Sequence, residues 1–320
     1  MGSVTTALLV GGGGFIGAHL ARVLADAHVQ VTVADAGIDY SGPDAGRDER
    51  AWRDSVLLSG VEYARLHTSE SGELGELIAA TRPDAVVHLA NLPLPSAAAR
   101  APGGAHEQIV GSTEALISAL EAAAPACRLV YVSSSMVYGH FVADPQPESA
   151  PLQPLGEYGE KKLHAEQLVL TRRPDSVIVR PSAVYGPGDG NRRLLQRLVD
   201  SAIGGPELLL TATPDTAMDF TWVEDLARGL AAAATSPGAA GAYNVTAGHA
   251  HTIADAIETI TALGHAPNVV LGPVEPGRPM RGSLSIARAR ADLGYAPQVS
   301  LREGLERYVA HRSSLAATLR

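Results

Sequence analysis

Leu8-Leu9-Val10-Gly11-Gly12-Gly13-Gly14-Phe15-Ile16-Gly17 opens a segment that closes on Val29-Gln30-Val31-Thr32-Val33-Ala34-Asp35. An apolar run meets four glycines, an amphipathic stretch follows to about His28, and a β-branched run ends on a carboxylate. The pattern predicts strand, tight turn, helix and strand. The spacing Gly11-x-x-Gly14-x-x-Gly17 suits a turn that passes beneath a pyrophosphate. The first glycine permits the backbone angles of the turn, the second leaves room for phosphates, and the third lets the helix sit close to the sheet. The start of the helix offers free N–H groups and a positive dipole end to the anion. Asp35, closing the second strand, can accept hydrogen bonds from a ribose diol. Glycines so spaced also occur in turns of other α/β proteins. The flanking strands, the helix and Asp35 together favour a dinucleotide site.

The 320 residues suit one large domain or two that share a cleft, and 46% apolar against 18% charged residues describes a globular chain with a substantial core. A net charge of −9 argues against broad binding to nucleic acid or anionic membrane, so an anionic substrate needs a local cluster of arginines. Cys127 is the single cysteine, which excludes an internal disulfide and a thiolate metal site. His249 and His251 show no metal-ligand pattern either, and no metal is expected. No stretch reaches the ~18 apolar residues of a membrane span. With no secretory signal before the first strand, a cytoplasmic location is the expectation.

Outward from the opening segment, strands and helices alternate. Val61 to Leu66, Ala85 to Ala90, Arg128 to Ser133 and Ser176 to Arg180 read as strands. Glu73 to Thr81, Glu107 to Ala124 and Glu157 to Thr171 read as helices, and Trp52 is expected to begin a short one. This rhythm predicts an α/β protein with a parallel sheet covered on both faces, whose ligands bind beyond the carboxyl ends of the strands. After Pro181 the rhythm breaks. Arg192 to Ile203 is expected to be helical and Ala242 to Val245 to add a seventh strand. The helix from Ile253 and the terminal segment Leu301 to His311 are expected to form a smaller lobe over the cleft.

Tyr158-Gly159-Glu160-Lys161-Lys162 sets a phenol and an ammonium one helical turn apart on one face. A free tyrosine has a pKa of about 10. A nearby Lys⁺, helped by a nicotinamide cation, favours the phenolate and brings it towards the working range of a base. Lys162 can also hold ribose hydroxyls. Alone, Tyr-x-x-x-Lys describes many solvated helix faces. Here it follows a nucleotide turn and the serine-rich strand end Val132-Ser133-Ser134-Ser135-Met136-Val137-Tyr138-Gly139. A hydroxyl at that strand end can stabilise charge developing on a reacting oxygen. Three adjacent serines can equally satisfy backbone groups at a strand-to-loop junction.

The glycine turn, Asp35, His88-Leu89-Ala90, the serine run, Tyr158-x-x-x-Lys162 and Arg180-Pro181-Ser182-Ala183-Val184-Tyr185-Gly186-Pro187 occur in order. Together they resemble the extended short-chain dehydrogenase/reductases, specifically the NAD-dependent epimerase/dehydratase family. The likeness continues into Asp219-Phe220-Thr221-Trp222-Val223-Glu224-Asp225 and Ala291-Asp292-Leu293-Gly294-Tyr295-Ala296-Pro297. The resemblance implies a Rossmann-type doubly wound parallel sheet with a smaller C-terminal α/β substrate lobe. We expect residues 1–180 and 217–249 in the NAD-binding domain, and 181–216 and 250–320 in the lobe. It implies NAD held by Gly11, Gly14, Phe15, Ile16, Gly17 and Asp35, with Leu89 and Ala90 along its path and Tyr158 and Lys162 at its reactive end. It places the catalytic hydroxyl on Ser134, beside Tyr158 and Lys162. It also implies a homodimer through the helices near Glu107–Ala124 and Glu157–Thr171.

Members of that family that dehydrate or decarboxylate carry acids after the catalytic hydroxyl, where Ser135 and Met136 stand here. Asp35 argues for NAD over NADP. The expectation is therefore a sugar epimerase acting by transient hydride abstraction, at C4 of a nucleotide sugar, with Tyr158 as base. An NAD(P)-dependent dehydrogenase or ketoreductase of a sugar, sugar acid or natural-product intermediate needs the same residues, and a catalytically silent dinucleotide-binding protein is a third reading. The chain departs from the resemblance at Met218, where sugar epimerases often have Arg, at Ser182, often Asn, at His67 and at Gln108. Arg192 and Arg193, with Arg278 and Arg281, can clamp phosphates or merely solvate a lobe surface. Ser134, Ser135, Arg192 and Arg278 are the expected substrate contacts.

Overall fold

Alternation along β1 (Thr6–Val10) divides the core in two. Ala7 and Leu9 pack with the helices Phe15–Asp26 and Val223–Thr235. Leu8 and Val10 face the other way, onto the helices Ser71–Thr81, Ser112–Ala123 and Glu157–Arg172. A strand covered on both faces has to be apolar at successive positions, and β1 is buried from Ala7 to Val10. The computed structural model describes residues 4–38, 46–67, 71–91, 104–274, 277 and 279–318.

Beside β1 lie β2 (Gln30–Asp35), β3 (Glu62–Arg65), β4 (Ala85–His88), β5 (Arg128–Val132) and β6 (Val177–Arg180). The strands β7 (Leu208–Leu210), β8 (Ala217–Met218), β9 (Gly241–Asn244), β10 (His251–Thr252) and β11 (Val269–Leu271) follow. Seven of them form one parallel sheet in the order β3-β2-β1-β4-β5-β6-β9, the parallel sheet that the rhythm of the sequence predicts, in the Rossmann-like arrangement that the resemblance implies. The direction of winding reverses between β1 and β4, and a crevice opens beyond the strand ends at such a point. Val10 pairs with Ala34 and His88, and His88 with Tyr131, so the carboxyl ends align. Gly11, Leu89, Ser133 and Pro181 therefore leave the sheet along one edge.

A smaller core gathers Tyr185, Leu198, Leu210, Trp222, Ile260 and Tyr308. It carries two short sheets, β7 with β11 and β8 with β10. Asp219 ties this region together: its carboxylate accepts from Thr246 Oγ1 and from the N–H groups of Ala247, Gly248 and Leu284. The chain returns to the main sheet with the helix Val223–Thr235, which packs beneath it.

Several elements differ from the periodicity reading. Trp52 ends the helix Arg47–Trp52, which passes directly into a wider turn over Arg53–Leu57. The helix expected from Arg192 begins at Leu194, because Arg192 has a φ of 53°, outside the right-handed helical region. The terminal helix runs from Leu301 to Thr318. A short helix, Ala287–Leu293, had no expectation attached to it. Among the described residues, no helix is long and apolar enough to cross a membrane.

Candidate active site

A cleft of about 1140 Å³ opens at the carboxyl edge of the sheet, running from the glycine turn to the smaller lobe. Gly11 adopts a φ of 83°, and a Cβ there would lie 2.3 Å from the backbone nitrogen of Ala90. Only glycine fits so close to the neighbouring strand end. A Cβ on Gly17 would stand 2.6 Å from Gly12 Cα, so this glycine lets the helix rest on the turn itself rather than on the sheet. Gly14 is open on its side, with nothing nearer to a Cβ than Gly11 O at 3.4 Å. No side chain caps the helix Phe15–Asp26, which leaves its first N–H groups for a ligand. The Asp35 carboxylate accepts from the N–H of Gly13 at 3.0 Å and of Gly37 at 2.7 Å, which fixes it at the corner of the cleft. Phe15, Ile16, Leu89 and Ala90 line the same wall. An open turn, an uncapped helix start and an oriented carboxylate together fit a dinucleotide.

Arg53 is a residue of this region that the sequence reading missed. It is buried, and it donates through Nε to Gly13 O at 3.3 Å and through Nη1 to Gly188 O at 2.5 Å. The guanidinium thus links the glycine turn to the segment that follows Tyr185. His19 makes a second link, its Nε2 lying 2.9 Å from Pro187 O. Both contacts join residues more than a hundred positions apart, and no local pattern announces them.

The helix Glu157–Arg172 brings Tyr158 and Lys162 to the cleft one turn apart. Tyr158 and Ser134 line the cleft together, and Ser134 acts on the pKa of the phenol. Burial raises that pKa, while the charge of Arg193, the Ser134 side chain and the charge of Arg281 act in the opposite direction. Lys162 Nζ donates to Val132 O at 2.9 Å and lies 5.8 Å from the centre of the Tyr158 ring. Burial pushes the lysine down to about 7, against the pull of Glu166. Glu166 itself is engaged by Arg180 at 3.0 and 2.6 Å. Arg193 and Arg281 thus add to the charge at the phenol, beside the Lys162 that the spacing places there. His88, at the end of β4, is fully buried and pushed down to about 3 by burial and by Lys162; its Nε2 lies 3.1 Å from Thr113 Oγ1. It is a neutral core histidine.

Ser134 starts the short helix Ser135–Tyr138, its Oγ accepting from the Met136 N–H at 3.2 Å. Ser135 and Met136 line the cleft beside it, and Arg281 reaches both, donating to Met136 Sδ and, at 3.5 Å, to Ser135 Oγ. One of the two expected substrate arginines needs correction. Arg192 is exposed and does not line the cleft, because its left-handed backbone turns the chain there. Its neighbour Arg193 does, with the guanidinium 5.4 Å from the Phe15 ring centre and Nη1 2.6 Å from Asp189 Oδ1. Arg278 lies outside the described residues. Met218, Ser182, His67 and Gln108 all line the cleft. Ser133 Oγ, Ser182 Oγ and both polar atoms of the Asn91 side chain are buried there without a partner in the protein. Among the described residues, the carboxylates lining the cleft are Asp35 and Glu107, against Arg50, Arg53, Lys162, Arg193, Arg197 and Arg281. A chain of net charge −9 therefore has a cationic cleft.

The sequence matches the model of the NAD dependent epimerase/dehydratase family over residues 7–246. It is 27% identical over 336 residues to a dTDP-glucose 4,6-dehydratase of Neisseria gonorrhoeae, covering 94% of each chain. It is 28% identical over 335 residues to UDP-glucose 4-epimerase 4 of Oryza sativa subsp. japonica, covering 94% of this chain and 88% of the other. Among solved structures, a UDP-glucuronic acid 4-epimerase from Bacillus cereus, in complex with UDP-glucuronic acid and NAD, superposes with a TM-score of 0.87. The two are 25% identical, over 97% of this chain and 99% of that one.

Proposed function

The chain belongs to the NAD dependent epimerase/dehydratase family, and on that premise we propose that it is an NAD-dependent epimerase acting at C4 of a nucleotide sugar. Gly11, Gly14, Phe15, Ile16, Gly17 and Asp35 hold the cofactor, Leu89 and Ala90 line its path, and Lys162 turns its remaining N–H donors to ribose hydroxyls. When bound, NAD supplies the acceptor and donor of hydride. Tyr158 takes the proton of the sugar hydroxyl and later returns it to the same oxygen. Ser134, beside Tyr158 in the cleft and fixed at the helix start, steadies the charge developing on that oxygen.

Dehydration moves further protons beside the reacting carbon and needs a group to carry them. Ser135 and Met136 stand after Ser134, and Arg281 lies against both. One observation carries the reading. Tyr158, Ser134 and Lys162 share a cleft with the glycine turn, and the two residues that follow Ser134 into it are Ser135 and Met136 rather than carboxylates. The test is Tyr158→Phe. Its turnover of a nucleotide sugar should fall about 10³-fold, within the range of a lost general base, while its affinity for NAD stays within a few-fold. Retained turnover would remove Tyr158 from the reaction.

The same reading includes a cytoplasmic homodimer, assembled through the helices Ser112–Ala123 and Glu157–Arg172, with the lobe of residues 181–216 and 250–320 carrying the substrate. Size-exclusion chromatography at micromolar concentration should give a dimer; a monomer would remove that part.

A further inference from the structure

The reactive end of the cleft holds a cation that the chemistry above does not use. Arg281 is set there by its neighbours in sequence. Met280 O accepts from the Phe141 N–H at 2.9 Å, the Ser283 N–H donates to Asp144 at 2.9 Å, and the Leu284 N–H donates to Asp219 at 3.1 Å. These bonds fix the backbone on both sides and point the guanidinium at Ser135 and Met136. A thioether and a hydroxyl at 3.5 Å are poor partners for a guanidinium, whose planar fork matches a carboxylate or phosphate. Among the described residues no carboxylate pairs with it. The side chain is partly open to the cleft, yet the surrounding protein pushes its pKa down to about 10. Removing a cation from water without a counter-ion is unfavourable, and a ligand that brings the anion relieves it.

Two sources of an anion are at hand in a nucleotide sugar, the diphosphate and the sugar itself. The cleft has another cation placed for the phosphates. Arg197 lines it beside the wall Leu209–Ala212 and donates to Leu209 O. Arg281 instead abuts the two residues that follow Ser134, and its charge acts on Tyr158. That is the position of the sugar ring, one or two carbons from the reacting oxygen. Resting on the epimerase reading, we propose that the substrate is a nucleoside-diphosphate hexuronate, and that Arg281, with Ser135, binds the carboxylate carried on the carbon next to C4.

The experiment compares UDP-glucuronate with UDP-glucose, and dTDP-glucuronate with dTDP-glucose, on NAD-loaded protein. Binding is measured on Tyr158→Phe, so that the result does not depend on turnover. The hexuronate of the preferred nucleotide should bind at least 30-fold more tightly than the matching neutral hexose, as expected for a close ion pair shielded from water. Adding Arg281→Gln should abolish that preference, with the affinity for the neutral hexose, for the free nucleotide and for NAD kept within a few-fold. Arg281→Lys should restore part of it. Equal binding of uronate and hexose would overturn the proposal. So would an Arg281→Gln variant that weakens both sugars and the free nucleotide alike, which would assign the guanidinium to the diphosphate. Tight uronate binding with no epimer formed by the parent enzyme would leave this subsite standing and remove the epimerase reading. No binding of any of the four sugars would remove both.

Discussion

Glu49 and His311 stand 262 residues apart in the sequence, and their side chains meet at 2.9 Å. Glu49 is almost fully buried; it also accepts from Arg312 at 2.7 Å and from the Gly188 N–H at 2.7 Å. The carboxylate thus fastens the terminal helix and the segment around Gly188 to the chain between β2 and β3, next to Arg53.

Glu49→Gln should therefore destabilise the protein by about 3 kcal/mol near neutral pH, the size expected when one partner of a buried ion pair is lost. Burial alone would raise the Glu49 pKa, but the hydrogen bonds and charges of His311 and Arg312 outweigh it and hold it below its ordinary value of 4.5. A carboxylate with a lowered folded pKa contributes stability that is full above the unfolded value and is lost as pH falls through the folded one. The difference in thermal midpoint between parent and variant should be constant above pH 5 and narrow as the pH drops below about 4.5. A difference independent of pH would show that the charge of Glu49 is not what matters.

Gly11→Ala should lose both NAD affinity and stability, by at least about 2 kcal/mol. The added Cβ collides with the Ala90 backbone, and the residue is held at a positive φ. Gly14→Ala has room for its methyl group and should keep its stability within about 1 kcal/mol while NAD affinity drops. Isothermal titration with NAD and thermal melts of both variants separate the two effects. Equal behaviour of the two variants would contradict the geometry of the turn.

The glycine turn, Asp35 and the strand ends were legible in the sequence because their signals are local: a period of two, a run of glycines, a carboxylate closing a strand. The arginines were not. Which of Arg192 and Arg193 faces the cleft depends on a single left-handed residue before the helix at Leu194. Arg281 gains its place from backbone bonds to Phe141, Asp144 and Asp219, all distant in sequence. Arg53 reads as one more charge in a polar stretch until Gly188 is folded against it. The Tyr158–Lys162 spacing correctly set both groups on one face. Tertiary placement of Arg193 and Arg281 adds charges at the phenol that the spacing did not announce.

Lys162→Met should inactivate the enzyme and yet stabilise the cofactor-free protein. Burial brings the lysine from 10.5 down to about 7. Between those values the folded chain binds fewer protons than the unfolded one, so stability rises with pH, and the penalty of the buried charge is complete below pH 7. The variant should exceed the parent by an amount on the order of 3 kcal/mol at pH 6, and the gap should close as pH approaches 10.5. Denaturant melts across that range provide the measurement. A variant less stable than the parent at pH 6 would show that the Val132 hydrogen bond outweighs desolvation.

The central claim is that hydride leaves C4 and returns to it within one active site. Turnover of a nucleotide sugar deuterated at C4 tests this most directly, with the product analysed by NMR and NADH absorbance followed in parallel. The account predicts an epimer that keeps its deuterium at C4, formed with a slowed rate and without accumulation of NADH. Deuterium lost to water, or NADH released in proportion to product, would contradict it.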